Sequence, residues 1–390
     1  MNVQEKKPHS LKISSGLWPN EEQKLLLKAA LFEGSQTLEA WRAWKLRVDI
    51  DHLDHGSFLL LPLLYKRLSF LGVDDASIKI LKGVYRSTWY KNQLLLENIA
   101  KPIQALSSAS VDMILLLGTP LIWLYYKDNG VRPIADVHVR FHPEQIGKAI
   151  KVLGNIGWLL KTDSFNNYII NKTDFLFRKS DILSNSACNK IKKNQSVPLY
   201  GIYKKLDDPF WENTIPIQFK GIPVRVMNPT DFLIHIFVHG VIWKSPLDFK
   251  WITDAYTIIK NKDTEIDWSR IMKQTQQKQL VLPVKNALIY LQEELNSPIP
   301  NNVIRSLKDM PVSSVQIKEF ETFTKPVGFI GSFREKWYQY IRFSQTIDPA
   351  SKPNAIKYLE YLRDIWELDH FRQSPFALMK RGIKNIFRFR

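Results

Sequence analysis

A single cysteine, Cys188, stands among 390 residues, so neither an intramolecular disulfide nor a cysteine-rich zinc site can form. That usage fits a reducing compartment, and the expected location is the cytoplasm. Long apolar runs are also missing. The longest, from Met113 to Tyr126, is interrupted by Gly118, Thr119 and Pro120 and falls short of the roughly 20 residues needed to cross a bilayer. No transmembrane segment is expected, and the polar residues from Met1 to Lys12 lack the apolar stretch of a secretory signal. Acid is in short supply: 38 Asp and Glu face 55 Lys and Arg, a net charge of +17. The summed field attracts phosphate-rich or acidic partners, among them nucleotides, nucleic acids, anionic lipid and acidic peptides, without selecting one. The excess is partly local. Phe371 to Arg390 carries Arg372, Lys380, Arg381, Lys384, Arg388 and Arg390 with no acid, interleaved with Phe371, Phe376, Phe387 and Phe389.

What is present describes a globular chain. Hydrophobic residues make up 45% and charged residues 24%, which excludes wholesale disorder, and the length allows two or three domains. The first third reads as helical. Asn20 can cap a helix with Gln23 reaching back, and Leu25, Leu26, Ala29 and Phe32 recur at helical spacing. Further helix signal runs through Trp41 and Trp44, from Leu59 to Leu68, and from Ile78 to Ile103. Trp41, Trp44, Trp89 and Trp123 sit at apolar helical positions and are expected in the core.

After Val111 the pattern changes. The short apolar run Met113 to Leu117 stops at Gly118-Thr119-Pro120, which reads as strand, turn and helix. An Asp128-Asn129-Gly130 turn and Arg132-Pro133 then lead into an alternating segment. Ala135, Val137, Val139 and Phe141 occupy one face, and Asp136, His138 and Arg140 the other, the pattern of a half-buried strand. A helix from Pro143 to about Leu153 follows, and Tyr168 to Phe177, containing Asp174, is a further expected strand. The basic stretch Cys188 to Lys205 reads as a surface loop. From Thr230 helix dominates again, with Asp231 in its first turn, and Trp268 starts another amphipathic stretch.

Chemistry concentrates on the alternating strand. Side chains two apart on a strand point the same way, roughly 6.6 Å from each other, so Asp136 and His138 can converge on one metal ion, with Asp174 available from a neighbouring strand. Backbone N–H groups at the Gly118-Thr119 turn can hold phosphate. Arg132 can bind a triphosphate or anchor its loop. His239 is expected as a packed core histidine, with a substrate-side role as the alternative. Asp254, near Lys250, is expected in a structural ion pair, with substrate contact as its alternative.

Leu115 to Leu121, with Tyr125, Tyr126, Gly130, Arg132, Pro133, Asp136 and Val139, resembles the core of a bacterial nucleotidyltransferase family of the polymerase-β superfamily. Its pattern runs Leu-Lys-Gly-Ala-x-Leu, a Tyr-rich helix, then Arg-Pro-Met-x-Asp-x-Asp. Leu61-Pro62-Leu63-Leu64-Tyr65, Phe210-Trp211, His239-Gly240 with Trp243, Lys250-Trp251-Ile252 with Asp254-Ala255, and Ile266-Asp267-Trp268 resemble further landmarks in order, so the similarity spans about Pro19 to Pro300. The resemblance implies transfer of a nucleoside monophosphate from a nucleoside triphosphate, ATP being the one expected, to an acceptor, with pyrophosphate leaving. It implies metal-binding carboxylates with Mg2+, or Mn2+, as cofactor. Relatives of this kind often accompany ribosomally made peptide pathways, lasso peptides included, so a peptide is one candidate acceptor. Three positions depart from the pattern. His138 replaces the second acid, Leu117 the lysine, and Thr119 the small residue after the glycine, while Asp174-Phe175-Leu176-Phe177 stands where relatives resemble Asp-Leu-His-Trp.

The resulting expectation is an α+β protein: a small mixed β-sheet nucleotidyltransferase core flanked by helical N- and C-terminal regions. Its divisions are a helical region at 1–108, the core at 109–228, a helical domain at 229–310 and a basic helical extension at 311–390. Asp136, His138 and Asp174 are the candidate catalytic and metal-binding residues, and Gly118, Thr119 and Arg132 the nucleotide-binding ones. His239, Lys250 and Asp254 are candidates for the substrate side. The alternative is a catalytically decayed protein that keeps the fold as a binding or scaffold module for a peptide or protein. Nucleic acid is a third partner class, prompted by charge alone.

Overall fold

Asn20 begins the first helix as its sequence implies. Its side chain accepts from the Gln23 amide at 2.8 Å, and the Gln23 side chain accepts from the Asn20 amide at 2.9 Å, so two otherwise orphaned donors are satisfied reciprocally. The computed structural model describes residues 18–160, 174–178, 189–193, 211–241, 248–324, 329–347, 352–366, 368, 370–376 and 379. Five helices precede the sheet: α1 (Glu21–Leu31), α2 (Gly34–Lys45), α3 (His55–Phe58), α4 (Leu61–Phe70) and α5 (Ser77–Ser108). In α5 the buried residues Leu81, Thr88, Asn92, Leu95, Ile99, Ile103 and Leu106 follow one helical stripe. Trp41 and Trp44 are buried as expected, but Trp89 is 44% exposed, a correction returned to below.

The sheet combines β1 (Met113–Leu116), β2 (Asp136–Phe141), β3 (Trp158–Leu160), β4 (Asp174–Arg178), β5 (Asn189–Lys193), β6 (Ile215–Phe219) and β7 (Ile222–Val226). Among the described residues they run in the order β3-β5-β4-β2-β1-β7-β6. β1 is an interior strand, antiparallel to β2 and parallel to β7, which makes the sheet mixed. Over Asn189–Lys193, β5 corrects the loop expected from Cys188 to Lys205. Its residues pair with β3 on one side and β4 on the other, so cross-strand bonds outweigh the low strand preference of Asn and Lys. The β6–β7 hairpin closes through Lys220 and Gly221, both at positive φ (49° and 80°), as a two-residue turn matched to strand twist demands.

After the sheet come α8 (Pro229–Val241), α9 (Lys250–Lys260), α10 (Trp268–Gln277), α11 (Val281–Leu295), α12 (Asn301–Asp309) and α13 (Ser314–Thr324). The earlier elements α6 (Gly118–Leu121) and α7 (Ile146–Asn155) lie within the sheet's connections. Two further helices, α14 (Phe329–Ile347) and α15 (Ala355–Trp366), pack on each other around Tyr340, Ile341, Tyr361 and Leu362. The protein is thus α+β, with helices over both faces of the sheet.

The two faces have separate cores. Leu115, Val137, Val139 and Phe141 join α5 and α7 in one cluster. Ile114 and Leu116 join the amino-terminal helices and α8 to α12 in the other. Helix α8 is apolar nearly all round, burying Phe232, Leu233, Phe237 and Val238 completely or nearly so, each worth about 1.5–3 kcal/mol against exposure. Among the described residues no helix is long and apolar enough to cross a membrane.

Candidate active site between the sheet and its covering helix

The β1 turn carries strain at one residue. Leu117 sits at φ 57°, ψ −125°, a region that non-glycine residues enter at a cost of about 1–3 kcal/mol. Gly118 does not need its backbone freedom, since its φ is ordinary; it needs its missing side chain. A Cβ there would lie 2.5 Å from Arg132 Nη1. Thr119 is buried, and its hydroxyl has no hydrogen-bond partner among the described residues. The chain continues through a π-helical turn, Ile122–Tyr126, to left-handed Lys127.

Arg132 is held rather than free. Its Nε and Nη2 donate to Asp254 Oδ1 and Oδ2, both at 2.7 Å, and the two side chains are 10% and 4% exposed. Burial opposes the Arg132 charge, and the Asp254 carboxylate more than offsets it. The Tyr126 hydroxyl donates to the same carboxylate at 2.9 Å, and burial followed by the charge of Asp254 pushes its pKa well up. Asn92 fixes the loop from α5: its amide nitrogen donates to the carbonyls of Asn129 and Arg132, and its oxygen accepts from the Ile134 amide. Asp254 therefore pairs with Arg132, while Lys250 pairs with Asp248 at 3.0 Å.

Asp136, His138 and Arg140 share the sheet face that α8 covers. The strand is half-buried as expected over Asp136 to Val139, Asp136 and His138 keeping 29% and 13% of their side-chain surface, while Arg140 departs from it at 3% exposed. His138 Nε2 lies 3.0 Å from Asp136 Oδ1. Opposite them on α8 stand His235 and His239, one turn apart, with ring centroids 6.2 Å from each other. Burial, then the nearby His138, brings His239 down to about 4, with Asp248 and Asp136 pulling the other way. Burial, then His239, takes His235 well below the ordinary histidine range. His235 is 1% exposed, and neither ring nitrogen has a partner among the described residues. Both imidazoles are neutral at pH 7.

The structure separates one expected member from this group. Asp174 pairs with Arg140 across β2–β4, whereas Asp136 pairs with Arg178. Four residues of strand, roughly 13 Å, lie along the sheet between the two aspartate positions. The physical reason is register, which alternation alone does not reveal. Among the described residues no group of three or more His, Cys, Asp or Glu side chains is placed to hold a metal ion. Among the described residues, then, no carboxylate cluster suited to a pair of magnesium ions is present. Asp136 with His138 is instead a mixed oxygen and nitrogen donor pair, chemistry that suits one manganese ion better than magnesium.

His235, Asp248 and Asn92 escaped the sequence reading, and Tyr126 was singled out without a partner. The spacing of His235 and His239 was the one visible signal, four residues apart on an apolar helix; a mid-helix Asn92 gives none. Phe210, Trp243 and the chain from Lys380 lie outside the described residues. A family model described as an uncharacterised nucleotidyltransferase matches residues 59–296. No curated protein and no solved structure matches the chain.

Proposed function

The chain belongs to this nucleotidyltransferase family, and on that premise we propose that it transfers a nucleoside monophosphate from a nucleoside triphosphate, ATP first among them, to an acceptor oxygen, releasing pyrophosphate. The observation that carries the reading is the Asp136–His138 contact at 3.0 Å, on a strand whose register sets His138 beside Leu116, two residues before Gly118. The phosphates lie at the Gly118-Thr119 turn, where the buried Thr119 hydroxyl is a ready donor, and Arg132 Nη1 borders the same turn.

Asp136 orients the His138 imidazole, which takes the proton of the acceptor hydroxyl as general base. The acceptor oxygen bonds to the α-phosphorus, the bond from that phosphorus to the bridging oxygen breaks, and pyrophosphate leaves with the electron pair. Where His138 instead gives its lone pair to a metal, a manganese ion held by Asp136 and His138 would supply neutralisation of the phosphate charge when bound, and the acceptor proton would pass to water. His239 and Lys250 line the acceptor side; Asp254 acts through Arg132, holding it against the turn. The acceptor is a peptide or a small molecule with a free oxygen, and the reaction belongs in the cytoplasm.

The test is pyrophosphate release with each nucleoside triphosphate, Mg2+ or Mn2+, and peptide and small-molecule acceptors, comparing the native chain with Asp136→Ala. Release in the native chain alone supports transfer; none in any combination overturns it. A second reading, a decayed fold retained for binding, is favoured by the Asp174 register. It predicts calorimetric binding of nucleotide without turnover.

A further inference from the structure

The amino-terminal half of α5 presents a different chemistry from the Asp136 face. From Ser77 to Leu96 it contains Lys79, Lys82, Arg86 and Lys91 and no acid, and all four cations are exposed. Lys79, Lys82, Arg86 and Tyr90 fall at i, i+3, i+7 and i+11, one stripe of the helix. Tyr90 is 63% exposed and the adjacent Trp89 44%. Single exposed apolar residues are ordinary, but indole and phenol beside an acid-free row of cations form a pattern with a physical use.

Trp89 also opens into a groove of about 450 Å³, lined by Tyr85, Trp89, Trp123, Lys127, Asp128 and Asn129. Its walls are fixed. The Tyr85 hydroxyl donates to Asp128 at 2.9 Å, Lys66 pairs with the same carboxylate at 2.8 Å, and the Trp123 ring packs on Phe219 at 4.4 Å. Gly130 permits the close approach of Tyr85, whose ring would lie 2.4 Å from any Cβ there. Trp123 sits on the π-helical turn and Lys127 takes the left-handed conformation, φ 52°. Both are irregularities that concentrate where backbone is shaped for a ligand. Trp123 and Phe219 pack with the core on the sheet face away from Asp136 and His138, so the Trp123 wall of this groove lies off the face of the proposed transfer site.

We propose that the groove and the α5 stripe bind single-stranded nucleic acid. A base stacks against Trp89 and Trp123, and Lys127, Lys79, Lys82 and Arg86 follow the phosphates. Every base offers a π-face to an indole, so stacking is tolerant of sequence. The net charge of +17 supplies the long-range attraction. A lipid surface would call for a broad apolar patch, whereas Trp89 and Tyr90 stand among the exposed cations Lys79, Lys82, Arg86 and Lys91. An acidic peptide would satisfy the cations and leave the aromatic walls without stacking partners.

The full-length chain is titrated with a fluorescently labelled oligouridylate over a range of salt, followed by anisotropy. Four phosphate contacts predict a slope of log K against log salt near about −3. Trp89→Ala weakens binding roughly tenfold, the loss of one stacked base. Lys82→Glu with Arg86→Glu flattens the slope by about 1.4, two contacts fewer. Asp136→Ala changes neither, and circular dichroism verifies that the surface variants fold. The proposal is overturned by absence of binding at low salt, by affinity unaltered in the folded Trp89 and charge-reversal variants, or by loss in Asp136→Ala alone. It is overturned as well if those variants lose only attachment to phosphatidylserine vesicles while oligonucleotide binding persists.

Discussion

Asp254→Ala tests the tie between the sheet and the carboxy-terminal helices. The Arg132 guanidinium would remain buried with its counter-charge gone, since both side chains are almost wholly enclosed, at 10% and 4% exposure. Breaking such a pair from one side costs about 3–5 kcal/mol, and the Tyr126 hydroxyl loses its acceptor besides, worth about 1 kcal/mol. These terms overlap, so a loss near about 4 kcal/mol is expected, close to a thousandfold in the folding equilibrium. Urea unfolding followed by tryptophan fluorescence should show a lower midpoint at unchanged slope. Removing both charges tells a different story. Arg132→Met with Asp254→Leu replaces the pair by apolar groups and should recover most of the loss, because the desolvation cost disappears with the charges. The reasoning fails if Asp254→Ala stays within about 1 kcal/mol of the native chain, or if the double variant is no better than the single.

Other expectations follow from the same geometry. His235 and His239 have folded pKa values below the unfolded value of 6.5, His239 at about 4. The unfolded chain therefore binds protons first as pH falls, so stability is fully present above pH 6.5 and drains away toward pH 4, at up to about 1.4 kcal/mol per pH unit for each group. Replacing both by Gln should flatten a plot of urea midpoint against pH over that window, and an unchanged slope would refute the assignment. Gly240→Ala puts a Cβ 2.2 Å from Trp251 Cγ, where α8 crosses α9, and should destabilise by about 1–3 kcal/mol, read as a lower melting temperature. His138→Gln should cut pyrophosphate release by on the order of 100-fold while calorimetric nucleotide affinity holds, the signature of a lost general base.

Local rules carried the sequence reading a long way. The Asn20–Gln23 capping box, the strand and turn at Met113 to Pro120, and the alternation that sorts Val137 and Val139 from Asp136 and His138 all rest on neighbours a few residues apart. Errors arise where distant segments decide. The β2–β4 register separates Asp174 from Asp136, and two flanking strands convert Asn189–Lys193 from loop to strand. Arg132 finds its partner 122 residues away, and proximity in the chain had suggested Lys250 for Asp254 instead. Leu117, not its glycine neighbour, bears the unusual backbone angle, and Arg132 fills the space where a Gly118 side chain would stand. Trp89 looked like core by spacing, yet the groove leaves it open to solvent.

The core shared by α1 and α11 has a price during synthesis. Lys24 of α1 bonds Glu294 of α11, 270 residues further along, and Leu26 and Leu27 belong to the same apolar cluster as Val284 and Leu291. At a ribosomal pace of about 5–20 residues per second, those leucines wait roughly 15 to 50 s for their partners to emerge. A nascent chain in that interval displays a sticky amphipathic surface, and holding it apart from its neighbours on the polysome falls to chaperones rather than to its own fold.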